Sequence, residues 1–591
     1  MPRDHATPAF LNVSASLTGR RWVGPDAADD RAREALEQVT RQPAAVAAVL
    51  ARRGVPPEEA ERFRAPALRD LLPDPLSLRD MDPAAARFVA AVARKERIAI
   101  FADYDVDGGS SAALLVTWLR EIGLQATVYV PDRIDEGYGP NAPAMQALAR
   151  DHDLILCVDC GTLSHDALAA ATGADVIVLD HHLGGETLPP ALAVVNPNRQ
   201  DESGDLAHLC AAAVVFLFLV EVNRRLRGAR PLPDLMALLD LVALATVADV
   251  APLVGVNRAL VRQGLKVMAR RARPGLVALA DVARLDTAPS SYTLGFVFGP
   301  RVNAGGRIGA ADLGARLLST ADPHEAAALA ERLDKLNTER REIETRVRDA
   351  ALEQAEARGT DGPLVWAAGE GWHPGVVGIV ASRLKDATGR PALVIGFDGD
   401  EGKGSGRSVS GVDLGASIQR LAAEGLLVKG GGHKMAAGLT VARDQLEPAM
   451  ARLSELLARQ GAGQMGPKDL TLDGLLMPGA ATVPLIEAIE AAGPFGAGAP
   501  APRFAFPSVR ITHARRVGES HLKISFTDEM GVKLDAISFG AFDGPLGPAL
   551  EQHGGAPFHL AGRLDINSWQ GRQRPQLRLE DAAPDTSRAA T

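Results

Sequence analysis

Three cysteines in 591 residues, at positions 157, 160 and 210, are too few for a disulfide framework and fit a reducing compartment. Cys157-Val158-Asp159-Cys160 is a lone C-x-x-C with no second pair, so ordinary buried thiols are favoured over structural zinc or redox chemistry. Long apolar runs are also missing. The longest, Leu209 to Val220, falls short of the roughly 20 residues that a membrane helix needs and reads as a core helix. No apolar stretch follows Met1-Pro2-Arg3-Asp4-His5, so no secretory signal and no membrane association are expected, and a cytoplasmic location is. Finally there is no basic excess: the formal net charge of -9 argues against a polyanion binder held by a uniformly basic surface, while leaving room for a local basic groove.

What is present is an ordinary globular composition, 46% hydrophobic and 23% charged, with 59 Gly and 39 Pro to serve many turns. The length predicts about three to four domains. Residues 1–60 read as an N-terminal extension wrapped on the first domain. Strand-like runs alternate with helix-like ones between about 95 and 250, which predicts a doubly wound parallel α/β sheet for the domain at 61–322. Asp322, Pro323 and Glu325 form a helix start and Gly359 a stop, so 323–359 is predicted to be a long connector helix that packs on one narrow stripe and spaces two domains. A smaller α/β unit is expected over 360–460. Five short strand-like pieces within 461–582 suit a small β-barrel of the OB type, and 583–591 is expected to be a disordered tail. From Arg503 to Arg578 ten Lys and Arg stand against seven Asp and Glu, so positive charge leans towards the barrel.

Chemistry is concentrated where apolar runs end in acids. Ile98 to Phe101 runs into Asp103-Tyr104-Asp105-Val106-Asp107-Gly108, Leu154 to Val158 into Asp159, and Val176 to Leu179 into Asp180-His181-His182. A later helix-like run, Leu241 to Ala248, ends in Asp249. In open α/β sheets ligands collect beyond the carboxyl ends of the strands, so these groups sit where a site belongs. Gly108-Gly109 is expected to make the sharp turn that lets the carboxylates converge. One such acid is ordinarily a cap or a turn; four successive runs ending this way are not. Hard oxygen donors suit Mg2+ or Mn2+, the imidazole shifts the balance towards Mn2+, and two ions ~3.5–4 Å apart can clamp the attacking and leaving oxygens of a phosphoryl displacement.

With these residues in view, the chain resembles the DHH phosphoesterases, and within them the bacterial RecJ single-strand-specific exonucleases. The resemblance rests on Asp103 to Gly108, Val158-Asp159-Cys160-Gly161, Asp180-His181-His182, Ala248-Asp249-Val250-Ala251-Pro252-Leu253, Arg301-Val302-Asn303-Ala304-Gly305-Gly306-Arg307-Ile308, and the DHHA1-like Gly430-Gly431-Gly432-His433-Lys434-Met435-Ala436-Ala437-Gly438. It implies that Asp103, Asp105 and Asp159 hold one cation and Asp107, Asp159, His181 and Asp249 the other. It further implies that His182 stabilises the charge developing on the scissile phosphate. Phe101 stands where other branches of the superfamily carry a metal-binding His.

Gly404-Ser405-Gly406-Arg407-Ser408 reads either as a plain turn or as a phosphate-binding loop with backbone amides, a hydroxyl and a guanidinium. The resemblance implies that Ser405 and Arg407 grip the 5′-terminal phosphate and that Arg133, Asn303, Arg307 and His433 contact the strand, although Pro140 departs from the usual apolar residue after the Arg133 segment. In the barrel, Phe504, Phe506 and Phe526 are expected mostly in the core, with Trp569 as the exposed base-stacking candidate beside Arg572 and Arg574. The expected activity is metal-dependent 5′-to-3′ degradation of single-stranded DNA to 5′-mononucleotides in recombination and repair, by a monomer. Helicase and single-strand-binding partners are implied by the resemblance alone. Two rivals stand beside it: a DHH enzyme for oligoribonucleotides or cyclic dinucleotides, disfavoured by the long basic-leaning tail, and a non-catalytic DNA-binding scaffold, disfavoured by the intact ligand positions.

Overall fold

The computed structural model describes residues 8–133, 135–463, 469–569 and 572–586, and the chain divides into two compact units. One is continuous, Leu72–Met465; the other is assembled from Met1–Leu71 and Gly466–Thr591.

In the continuous unit five parallel strands line up in the order Ala126–Tyr129, Ile98–Ala102, Leu154–Val158, Asp175–Leu179, Ala193–Val195. Ile98–Ala102 and Leu154–Val158 are buried at every position, because helices cover both faces and leave no side for polar residues. Phe101, Ile155, Cys157 and Val178 pack under Met145 and Leu148 of helix Ala142–Asp151, while helices Val106–Glu121 and Ala211–Leu226 cover the other face. The sheet ends in Asp103, Asp159 and Asp180 along one edge.

A second, five-stranded sheet follows in the same unit, ordered Lys429–His433, Ala436–Ala442, Glu401–Arg407, Ala392–Asp398, Val365–Glu370, with only the last pair parallel. Between the sheets runs the helix Pro323–Arg358, started by the Asp322 carboxylate accepting from the His324 N–H at 2.9 Å. Its buried positions keep to one stripe, wider than the narrow seam expected. Ala326, Leu329, Ala330, Leu333 and Leu336 bury near its start, and Val347, Ala351 and Ala355 share a core with Val376, Val380 and Val394. Alanines widen the apolar face, so the helix joins its two neighbours into one compact unit instead of spacing them.

In the other unit Phe504–Val517, His521–Thr527, Lys533–Ser538, Arg572–Pro584 and Pro557–Trp569 pair in that order, and Pro557–Trp569 pairs back to Phe504–Val517 to close the barrel. Phe504, Phe506 and Phe526 are fully buried in it, which removes them as base-stacking groups; the Trp569 side chain lies outside the described residues. Two expectations change here. The N-terminal segment packs with the barrel: Arg21–Val23 forms a parallel ladder with Asp469–Thr471, and the buried Trp22 donates from Nε1 to Asp581 at 2.9 Å. Leu36, Val46 and Leu50 enter the barrel core. The tail is ordered past 583, since Ala583 and Pro584 pair with His559 and Phe558 and the Asp585 N–H donates to the Pro557 carbonyl; residues 587–591 lie outside the described residues.

Candidate metal centre and phosphate-binding cleft

The chain turns sharply at Asp103-Tyr104-Asp105, and Asp105 caps helix Val106–Glu121 by accepting from the Asp107 and Gly108 N–H groups at 2.8 and 3.1 Å. Gly108 and Gly109 therefore lie in the first helical turn and do not make the bend. Gly108 is needed for proximity: a Cβ there would sit 2.3 Å from the Asp103 carbonyl oxygen. Asp107 points back into the molecule, where the Ala211 and Ala212 N–H groups at the start of helix Ala211–Leu226 donate to its two oxygens at 2.7 and 2.8 Å. A helix N-terminus favours a carboxylate and fixes this one.

Asp159 is 2% exposed and adopts φ +60°, a left-handed conformation that costs a non-glycine residue free energy and turns its carboxylate towards the others. Its Oδ1 lies 3.3 Å from His181 Nε2, which also stands 3.7 Å from Asp107 and 3.8 Å from Asp249 at the end of helix Leu239–Ala248. The donor atoms fall into three groups, Asp103 with Asp105 and Asp159, Asp107 with His181 and Asp249, and Asp159 with His181 and His182, each spanning no more than 4.8 Å.

Electrostatically this cluster is unfavourable as it stands. Burial, then Asp105, holds the Asp103 carboxyl well above the usual range, and burial, then Asp107 and Asp105, does the same to Asp159. Burial raises Asp107, and burial followed by Asp107 and Asp105 pushes Asp249 up to about 8. Oδ1 of Asp103 and Oδ1 of Asp159 are buried with no hydrogen-bond partner. Oxygens left unpaired at such cost, converging with an imidazole, fit divalent cation ligation, which reverses these shifts.

Asp180 plays a different part. It accepts from the Thr162 hydroxyl at 2.6 Å and Thr162 N–H at 3.1 Å, from the His181 N–H, and from His182 Nδ1 at 2.7 Å. Burial opposes its ionisation, but the His182 and Thr162 hydrogen bonds outweigh burial and keep it a carboxylate. Conversely, burial lowers His182, yet Asp180 overrides this and raises the imidazole to about 9. Asn196 Nδ2 holds the His182 carbonyl at 2.7 Å and Asn198 Nδ2 the His181 carbonyl at 2.6 Å. The Tyr138 hydroxyl donates to the Asp159 carbonyl and meets the His182 ring, each at 3.1 Å. Sequence reasoning gave no role to Tyr138, Thr162, Asn196 or Asn198. Only Tyr138 left a signal, as a large aromatic between the turn glycines Gly137 and Gly139.

Opposite the acids, basic groups gather. The Arg133 guanidinium lies 5.2 Å over the Tyr104 ring. Arg307 Nη1 donates to the Gly375 carbonyl at 3.1 Å, and a Cβ on Gly375 would stand 2.3 Å from the Arg307 carbonyl, so this contact joins the two α/β halves. Burial, then Arg133 and Arg340, brings Arg307 down to about 10; burial, then Arg133, lowers Arg407 and His373 as well. His373, unflagged by the sequence, caps helix Pro374–Thr388 by accepting from the Gly375 N–H at 3.0 Å; His-Pro-Gly at a helix start was its signal.

Ser405 and Arg407 lie beside that helix, with a Cβ on Gly378 falling 3.0 Å from Ser405 Oγ and 3.1 Å from Arg407 Nη2. They sit in the strand Glu401–Arg407, not in a loop, so the local amides are spent on the sheet and only the side chains, joined at 3.0 Å, are offered. Asn303 uses its Oδ1 on the Val106 N–H at 3.0 Å and so clamps the acidic turn. His433 lies exposed at the end of the edge strand Lys429–His433.

Comparison with known proteins follows this layout. The DHH family, N-terminal domain, matches residues 97–246, the DHHA1 domain 361–459 and the RecJ OB domain 472–581. The chain is 38% identical to the single-stranded-DNA-specific exonuclease RecJ of Escherichia coli over 83% of its own length and 87% of that protein. It is 34% identical to the protein of the same name from Bacillus subtilis over 95% of its length and 71% of the relative. The crystal structure of RecJ in complex with Mn2+ from Thermus thermophilus superposes with a TM-score of 0.79 at 30% identity, covering 95% of this chain and 79% of that one. A Mg2+ complex from the same source matches with a TM-score of 0.73. Fold, cluster and relatives agree, and the chain belongs to the RecJ family of DHH phosphoesterases.

Proposed function

We propose that this chain is a metal-dependent exonuclease that degrades single-stranded DNA from the 5′ end to 5′-mononucleotides, acting in recombination and repair. The observation that carries this reading is an unsatisfied acid pole, with Asp103 and Asp159 oxygens buried without partners, facing a basic pole in which Arg307 and Arg407 have no carboxylate within ion-pair distance among the described residues. A phosphodiester strand brings the charge that the second pole lacks. Asp103, Asp105 and Asp159 would hold one divalent cation, Mn2+ or Mg2+, and Asp107, Asp159, His181 and Asp249 another. Such ions neutralise phosphate charge and make water a competent nucleophile at neutral pH.

The remaining work falls to the chain's own groups. Asp180, anchored by Thr162, holds His182 charged and oriented, so that its ring can stabilise negative charge developing on the scissile phosphate. Tyr138 steadies both this ring and the Asp159 backbone. Ser405 and Arg407 would grip the terminal 5′-phosphate, with Arg307 and Arg133 contacting the strand beside it, and a grip on that end is what gives polarity. The test is a long single strand labelled separately at each end. Mononucleotide should appear at once from the 5′ label and late from the 3′ label, activity should vanish in chelator and return with Mn2+, and blunt duplex should resist. Simultaneous release from both ends, or faster turnover of a dinucleotide, would refute this reading.

A further inference from the structure

Arg307 also lines a groove of about 550 Å3 between helix Gly299–Ile308, the long helix and helix Pro374–Thr388. Asn303 and Ala248, the neighbour of Asp249, share its wall, so the groove borders the metal centre. Four guanidiniums, of Arg307, Arg340, Arg341 and Arg383, face one carboxylate there, Glu344, which pairs with Arg340 at 2.7 Å and Arg383 at 3.4 Å. Arg340 is 8% exposed and its Nε has no hydrogen-bond partner. The groove is therefore short of negative charge and has room for one nucleotide.

At its rim stand two large aromatics left to water. Tyr292 is 57% and Phe296 66% exposed, and their rings stack on each other at 5.0 Å and 23°. Tyr292 caps and Phe296 lies within a single π-helical turn, Thr293–Phe298, a rare geometry often found at functional sites. Neither ring fills the core, and among the described residues Glu344 is the only carboxylate within ion-pair distance of these arginines. A flat apolar shelf beside clustered guanidiniums matches the two halves of a nucleotide, its base and its phosphate.

We propose that Tyr292 and Phe296 form a base-stacking shelf and that Arg307, Arg340, Arg341 and Arg383 bind the phosphate of the same nucleotide, making a second nucleotide subsite beside the metal centre. The nucleotide is either one residue of the strand under digestion or a released 5′-mononucleotide. The inference rests on the function proposed above.

Equilibrium binding of dTMP by calorimetry and of labelled oligothymidylate by anisotropy separates these sources, with nuclease activity of the unaltered enzyme measured alongside. In the Tyr292→Ala, Phe296→Ala double variant, a product subsite predicts dTMP binding weakened about tenfold with the strand unaffected, and a strand subsite predicts the reverse. Phe296→Tyr keeps the shelf and should restore binding. Deoxyribose 5-phosphate, which has no base, should bind the double variant as it binds the original, a result that simple misfolding would not give. Unchanged affinity for both dTMP and oligothymidylate overturns the subsite. An unaltered enzyme that leaves single strands intact instead refutes the nuclease reading, whichever way the binding falls.

Discussion

The two halves of the larger unit meet their charge in opposite ways. In the first, carboxylates sit beyond the strand ends on backbone that is strained at Asp159 and capped by helix starts at Asp105 and Asp107, buried against each other with oxygens unpaired. In the second, Ser405 and Arg407 rise from the carboxyl-terminal end of a strand in a regular ladder and already bond each other. The acid pole is built at a cost in stability that only cations can offset; the basic pole is nearly self-satisfied and waits for an anion. Strain thus marks the side where a metal is needed, and regular structure the side where a strand end is held.

Asp159→Asn should give the largest effect. Cleavage is expected to disappear, while the metal-free protein melts about 2 °C or more higher because one buried charge is gone. A fall in melting temperature would end the contrast drawn here. Next, Arg407→Ala should raise KM for a 5′-phosphorylated strand about tenfold or more, the worth of a charge-assisted hydrogen bond, with little change for a 5′-hydroxyl strand. Equal losses on both substrates would remove the phosphate grip from this pole. Gly108→Ala should destabilise the unit by about 1–3 kcal/mol in denaturant titration, since its Cβ would meet the Asp103 carbonyl and push the acidic turn outward.

The smallest effect gives a reference outside both poles. Buried His559 accepts from the Ser508 N–H at 3.0 Å, and burial, against the pull of Asp585, lowers its pKa from 6.5. Above pH 6.5 the imidazole is neutral folded and unfolded. Below it the unfolded chain gains a proton that the folded barrel refuses, so stability should fall as pH drops from 6.5 towards the lowered value. Thermal melts at about pH 7.5 and 5.5 should differ by less in His559→Gln than in the original.

Much of the acid pole was legible because its grammar is local: a buried β-branched run followed by an acid predicts both the strand and the place of the group. Asp249 was readable for the same reason at a helix end. What was not legible depends on distance in the chain. Thr162 reaches Asp180, Asn303 reaches Val106, and nothing near either residue announces it. Glycines misled twice. Gly404 and Gly406 suggested a loop, yet they sit in a strand because Ile395, Leu439, Leu393 and Leu414 press so close that a Cβ would collide. The N-terminal segment was assigned to the wrong neighbour, because a ladder between residues 21–23 and 469–471 leaves no trace in either stretch alone.

That ladder bears on how the polypeptide is made. Trp22 and its strand are synthesised before the whole of the larger unit, whereas their partners Asp469, Asp581 and the closing barrel strands are synthesised after it. The smaller unit must finish after the larger one has had time to fold. Until then its first helices hold Leu36, Val46 and Leu50 without the barrel residues that share their core.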